Sequence, residues 1–253
     1  MNDFPVALKK LHNATPAWHA TVDAAQFRAA CAKVRADGGR LMALWGTDER
    51  GNGQGFAVHV ALSDMQGLIC LSLPMPAAQP AYPGIIYIFP AANRMQRSVY
   101  DLLGIVATDS TDTRKWLRHG AWPEDQFPLR KEFDLKQQYP LEDDAYPFVT
   151  VTGNGVHEIP VGPVHAGTIE PGHFRFSIIG ERVLRLEQRL GYKHKGVEKL
   201  AETMTIEQGA KLAGRISGDS TVAYAWAYAM AAESLVNFTP EPRAVWLRAL
   251  LLE

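Results

Sequence analysis

The chain has 253 residues, of which 47% are hydrophobic, enough to fill two cores. Its formal net charge of −1 excludes the basic face that nucleic acid demands. Cys31 and Cys70 both lie inside apolar segments, so neither a disulfide framework nor a thiolate metal site is suggested, and a reducing, cytoplasmic setting fits.

The start, MNDFPVALKKLHN, lacks the apolar core of a signal peptide. The longest apolar run, Val222 to Ala232, falls short of the ~20 residues that a spanning helix needs. The sequence therefore predicts a chain soluble by itself. Asp23 reads as a helix N-cap, Phe27, Cys31 and Val34 follow at helical spacing, and Gly38-Gly39 is the stop. Strands are predicted at Arg40 to Gly46, Gly55 to Leu62, Gly67 to Leu73 and Gly84 to Phe89, and a helix from Asn93 to Leu103. GNGQG (Gly51 to Gly55) has the look of a dinucleotide loop. It leads into a strand, however, and a phosphate loop must lead into a helix N-terminus, so it reads as a hairpin turn.

From Ser110 to Pro147 periodicity dissolves into prolines, charges and aromatics, the pattern of an extended connector. Strands return at His173 to Ile179 and Arg182 to Leu190, joined by the hairpin signal Gly180-Glu181. Phe174, Phe176 and Ile178 alternate with Arg175 and Ser177, which predicts one buried and one polar face. Helices follow. Thr205 and Gln208 form a capping box, with Ile206, Ala210, Ala213 and Leu212 as the stripe expected to be buried.

The stretch GRISGDST (Gly214 to Thr221) then interrupts the helical pattern. Ser217 and Ser220 have no adjacent base to make either a nucleophile, and a phosphate cradle would need a preceding strand and a lysine. On the residues alone it is a capping turn, with Ser217, Asp219 and Ser220 all good N-caps for VAYAWAYAM. His157, His165, His173 and His194 surround the hairpin, with Glu158, Glu170 and Glu198 close by. No pair has a compact ligand spacing, so the group reads as a polar, protonatable surface rather than a metal site.

Three long motifs carry a resemblance: EIPVGPVHAGTIEPGHFRF (Glu158 to Phe176), GYKHKGVEKLAE (Gly191 to Glu202) and GRISGDSTVAYAWAYAMAAES. They resemble the large subunit shared by complex I, where it is the 49 kDa subunit, and the formate-hydrogenlyase-type (group 4) nickel–iron hydrogenases. RSVYDLLGI (Arg97 to Ile105) and WPEDQFPLRKEF (Trp122 to Phe133) resemble the complex I 30 kDa subunit. Fusion of the two in this order is an arrangement known in the family. The resemblance implies an α+β chain. Residues 1–133 would be a 30 kDa-like mixed α/β domain with a small sheet, 134–150 a connector, and 151–253 the N-terminal part of the large-subunit-like domain, a β-hairpin plus helices.

In hydrogenases of this superfamily, Cys-Gly-x-Cys stands where this chain has Ser217-Gly218-Asp219-Ser220, and both thiolates bind the metal. A serine hydroxyl is not a soft, readily ionised ligand, so Ser217 and Ser220 mark vacated metal positions and no metal is expected. Complex I uses the same cavity for a quinone head group. By resemblance a histidine of the hairpin loop, here His173, and a tyrosine contact it; the tyrosine position falls at about Gly218, and Tyr224 is the nearest replacement. His165, Glu170, His173, Arg175, His194 and Glu198 are the candidates for cavity lining or proton movement. Gln96 and Ser98 flank Arg97 where the family carries acidic residues. EPRAVWLRALLLE ends at Glu253 within an amphipathic helix, which suggests a shortened large subunit.

The function implied is a subunit of a membrane-associated complex I-like oxidoreductase, NADH:quinone or hydrogenase-related, with an inert scaffold or assembly subunit as the alternative. No cofactor is expected on this chain; quinone is possible as acceptor, and iron–sulfur clusters, flavin and NADH fall to partner subunits. An iron–sulfur subunit is the expected partner, with the membrane reached only through other subunits from the cytoplasmic side.

Overall fold

The computed structural model describes residues 4–13, 15–120, 122–140, 145–166 and 169–253, with residues 164–166 and 169 by their backbone alone. Asp23 starts the first helix through a reciprocal capping box. Its carboxylate accepts the Gln26 N–H at 2.8 Å, and Gln26 Oε1 accepts the Asp23 N–H at 3.1 Å. Helix α1 (Ala24–Ala36) then buries Phe27, Ala30, Cys31 and Val34 at helical spacing. Burial pushes the Cys31 thiol up to about 12, so it behaves as a small apolar side chain.

The first sheet contains β1 (Lys9–Leu11), β2 (Ala17–Thr21), β3 (Arg40–Asp48), β4 (Phe56–Ser63) and β5 (Leu68–Met75), in the order β1-β2-β5-β4-β3. Its β2–β5 contact is parallel and the others are antiparallel. Val58, Val60, Leu62, Ile69 and Leu71 bury one face against α1 and α2 (Ala92–Leu103). GNGQG is the turn of the β3–β4 hairpin, with Gly53 at φ +72° supplying the left-handed residue.

The segment Gly84 to Phe89 is not a strand but a turn, in which Ile88 and Phe89 N–H groups both donate to the Ile85 carbonyl. Its apolar run hides a four-residue spacing: Ile85 and Phe89 are buried while Tyr87 is 75% exposed. Gln96, buried on α2, accepts the Ile85 N–H at 2.8 Å and fixes the turn. Short strands β6 (Ala81–Tyr82) and β7 (Val106–Ala107) pair on either side of α2.

Among the described residues no helix or strand lies between Ala107 and Val156, yet this length is pinned at both ends. Asp101 of α2 accepts the N–H groups of Trp116, Leu117 and Arg118, and Arg130 Nε donates to the Leu103 carbonyl at 2.8 Å. Lys131 N–H reaches Asp48, whose carboxyl burial pushes up but which Arg50 and two backbone N–H groups hold at about 2.

The second sheet is antiparallel, in the order β10-β9-β8, from β8 (Val156–Ala166), β9 (Ile169–Ile179) and β10 (Arg182–Arg189). The Gly180-Glu181 hairpin is there, with Gly180 at φ +56°. Strand β8 is not legible in the sequence because Pro160, Gly162 and Pro163 demote it, and it tolerates them as an edge strand with one side unpaired.

The face assignment predicted for this hairpin reverses. The polar side is the buried one: Ser177, Glu187 and Arg189 are buried, whereas Ile159, Val161 and Leu186 on the opposite side are exposed. The polar side packs on residues 112–118 and 146–149, whose carbonyls and charges satisfy it. Arg189 donates to the Lys115 and Arg118 carbonyls, and Arg114 pairs with Glu187 at 2.9 Å.

Four helices complete the chain: α3 (Val197–Ala201), α4 (Ile206–Ala213), α5 (Thr221–Leu235) and α6 (Pro242–Leu252). The Thr205–Gln208 capping box forms. The buried stripe of α4 is Gly209 and Ala213, not Ile206, which is 58% exposed, or Ala210. Gly209 is needed because Tyr228 of α5 lies across it; a Cβ there would stand 2.2 Å from the Tyr228 hydroxyl. Among the described residues no helix is long and apolar enough to cross a membrane.

Candidate functional site

The β8–β9 hairpin and the Gly214–Thr221 turn are joined by one side chain. Lys195, in the loop before α3, pairs its ammonium with Glu170 near the start of β9 and donates to the Ile216 carbonyl at 2.9 Å. Ile216 precedes Ser217, so this lysine fixes the hairpin against the turn where the family resemblance implies vacated metal positions. It is not among the sequence candidates. Its signal is the run GYKHKGVEKL, which puts two lysines and a histidine into a short polar loop.

The turn itself is a single 3₁₀ turn, Gly218–Ser220, closed by the Ser220 N–H to the Ser217 carbonyl at 3.3 Å. Neither Ser217 nor Ser220 makes a side-chain capping hydrogen bond, against the capping role expected of them. Thr221 does the local work instead, donating its hydroxyl to the Ser217 and Gly218 carbonyls. The serine hydroxyls thus make no capping bond to the backbone of the turn.

His173 sits on β9, where its Nδ1 donates to the Gly162 carbonyl of β8 at 3.1 Å and its ring lies 5.3 Å from that of Phe148. A carbonyl only accepts, so Nδ1 carries the proton and Nε2 is the acceptor of the neutral ring. That Nε2 is buried and has no hydrogen-bond partner among the described residues. Arg175, two residues on and on the same face, lies over the same Phe148 ring at 4.6 Å and pairs with Glu158 at 3.2 Å. Phe148 is another residue that sequence reasoning passes over, because it lies in the aperiodic connector.

The remaining candidates stand apart from these two groups. His194 accepts the Gly196 N–H at 3.2 Å within its own loop. Glu198 opens α3 and lines a separate cleft with Trp45, Lys131 and Glu202. The side chain of His165 lies outside the described residues. The arrangement is therefore a wall in two parts: a Glu170–Lys195–Ile216 tie beside the turn, and a His173–Arg175 pair resting on Phe148.

A nickel–iron centre does not fit this donor set. Hydroxyls at Ser217 and Ser220 are hard, un-ionised donors, whereas nickel in such sites needs thiolate. We expect elemental analysis to find no stoichiometric nickel on the chain. We expect Ser217→Cys with Ser220→Cys to bind Ni(II) at least about tenfold tighter, with a thiolate-to-metal absorption band. About one nickel per parental chain would overturn the vacated-site reading.

Residues 20–139 match the family described as Respiratory-chain NADH dehydrogenase, 30 Kd subunit. The chain is similar to formate hydrogenlyase subunit 5 of Escherichia coli (strain K12), 35% identical over 224 residues, covering 85% of this chain and 39% of that protein. Hydrogenase-4 component G of the same organism is 34% identical over 223 residues, covering 85% and 40%. The fused C/D subunit of the NADH-quinone oxidoreductase of Phocaeicola vulgatus is 25% identical over 232 residues, covering 84% and 44%. The chain thus spans about two fifths of the length of these curated relatives. It carries a match to the 30 Kd family over residues 20–139, and across most of its length it is similar to the C/D-type and hydrogenase-related subunits named above.

Proposed function

We propose that the chain serves as a subunit of a membrane-associated complex I-like oxidoreductase, NADH:quinone or hydrogenase-related, peripheral to the cytoplasmic face of the membrane. The first half is a scaffold of the peripheral arm. The second half forms one wall of the cavity in which an acceptor such as quinone is reduced. An iron–sulfur partner subunit delivers the electrons, and NADH and flavin belong to other subunits.

The observation that carries this reading is His173. Its ring is held by the Gly162 carbonyl and Phe148, and its buried Nε2, the acceptor when Nδ1 alone carries a proton, has no partner among the described residues. Such an atom can take a hydrogen bond from the hydroxyl of the reduced acceptor and so hold it in place. The Glu170–Lys195 tie supports the reading by holding the same strand against the vacated turn.

The test is co-expression with a neighbouring iron–sulfur subunit, with His173→Ala beside the parent. We expect the variant to assemble normally and to reduce acceptor about tenfold more slowly, the size of effect that losing one positioning hydrogen bond of about 1.4 kcal/mol gives. Parental rates in the assembled variant would favour a second reading, an inert scaffold or assembly subunit. The hydroxyls at Ser217 and Ser220 are the feature that supports that alternative.

A further inference from the structure

A cleft of about 650 Å³ lies between α2, residues 106–118 and β10, within the size range of small-molecule sites. Cationic side chains dominate its lining: Arg97, Arg114, Lys115, Arg118 and Arg189 stand against Asp101, Asp112 and Glu124. Most of these charges are already committed to carbonyls and to one another. Two side chains keep donors that are not. Gln96 and Arg118 are each 1% exposed, and among the described residues Gln96 Nε2 and Arg118 Nε and Nη2 have no hydrogen-bond partner.

Both sets of orphans follow from how the rest of each side chain is used. Gln96 Oε1 is taken by the Ile85 N–H, which turns its amide NH₂ the other way. Arg118 Nη1 is shared among the Pro123, Glu124 and Gln126 carbonyls, leaving the Nε–Nη2 edge over. The nearest carboxylates to that edge, Asp101 and Glu124, both stand 3.7 Å away, too far to hydrogen-bond. Glu124 is 76% exposed and ties its other oxygen to Lys115 Nζ at 2.7 Å. An unpaired buried donor is unfavourable because its lost hydration is not repaid, so the cleft favours whatever brings acceptor oxygens to this edge.

We propose that the cleft binds a small oxyanion, a phosphate- or carboxylate-bearing molecule whose oxygens engage the Arg118 edge and Lys115 in place of the Glu124 carboxylate. The Nε–Nη2 edge presents two parallel N–H groups, the geometry that matches a carboxylate or phosphate in a bidentate contact. Lys115 adds a point charge, and the faces of Tyr100 and Tyr146 with Val106 give the body of the ligand an apolar wall. The proposal does not rest on the acceptor reading: none of His173, Lys195 and the Gly214–Thr221 turn is among the residues that line the cleft.

Titration calorimetry of the 253-residue chain tests it in three arms: inorganic phosphate, citrate, and phosphatidylcholine vesicles with and without phosphatidate, each against chloride at equal ionic strength. Saturable binding in any arm is expected to weaken at least about tenfold in Lys115→Met and to tighten several-fold in Glu124→Gln, which removes the competing charge. Binding to phosphatidate vesicles alone would assign the oxyanion to a lipid head group; binding of phosphate or citrate would assign it to a soluble molecule. Circular dichroism checks that both variants fold, and the exposed Glu124→Gln decides alone if Lys115→Met does not. No saturable binding in any arm, or constants unchanged in the folded variants, would overturn the proposal.

Discussion

Asp101→Ala is expected to lower the stability of the chain by about 3–5 kcal/mol, read from the midpoint of urea unfolding. The carboxylate is 1% exposed and accepts three consecutive backbone N–H groups, those of Trp116, Leu117 and Arg118, at 2.6, 2.6 and 3.2 Å. It is also one of two carboxylates near the Arg118 guanidinium, itself 1% exposed. Alanine would leave three donors without an acceptor, those of buried Trp116 and Arg118 and of half-buried Leu117, and a buried cation without its buried counter-charge. Each unmet donor costs more than a hydrogen bond contributes, because desolvation is not repaid. The loss should appear in tryptophan emission as well as in circular dichroism, since Trp116 is one of the anchored residues. Asp101→Asn keeps one acceptor oxygen and should lose less. A loss for Asp101→Ala below about 1 kcal/mol would mean that the segment 116–118 is held by its other contacts.

The signature VYDLLGI is legible in the sequence as a helix and as a resemblance, but its aspartate is not legible as an anchor. Periodicity reports which face of an element meets a core, and α1 obeys it because its buried side is entirely apolar. On α2 the buried set includes Gln96, Arg97 and Asp101, polar residues whose backbone partners lie in aperiodic chain 11 to 18 residues away. The same reason explains the hairpin. Phe174, Phe176 and Ile178 read as the inward side because they are apolar. The inward side is instead Ser177, Glu187 and Arg189, since the surface that covers it is made of carbonyls and arginines. The Gly84–Phe89 turn reads as a strand because a short apolar run does not distinguish a spacing of two from one of four.

At the site, residue type and resemblance bring Ser217, Ser220, His173 and Glu170 forward. Lys195 and Phe148 cannot be found that way: the contact of each joins segments far apart in the chain. Apolar side chains of β8–β10 and α6 that face outward, among them Val161, Leu186, Trp246 and Leu250, likewise become visible only once the strands and helices are placed.

Arg114→Ala is expected to destabilise the chain by about 3 kcal/mol at pH 7 and by much less near pH 2. Arg114 chelates Asp112 through Nε and Nη2 at 2.9 and 2.8 Å, and through Nη1 reaches Glu187 of β10 and the Pro147 carbonyl. The three side chains are 21%, 18% and 9% exposed, so solvent does little to replace what is removed. Hydrogen bonds from Arg114 hold the Asp112 carboxyl at about 2, against the opposing effect of its burial and with help from the charge of Arg97. Burial pushes Glu187 up, but the Val149 N–H, Arg114 and Arg185 outweigh it and leave it below its ordinary value. A carboxyl depressed in the folded state binds its proton more readily once unfolded. Its contribution is therefore full above the unfolded value of about 4 and disappears as pH falls toward the folded value. For Asp112 alone a depression to about 2 corresponds to roughly 2 kcal/mol. The parent should therefore lose stability between about pH 4 and pH 2, and the variant, already without the guanidinium, should lose much less over the same interval. Unfolding curves of both proteins at neutral and acid pH measure the gap directly. A gap that stays the same from pH 7 to pH 2 would show that Arg114 acts through packing against Tyr146 and not through its two carboxylates.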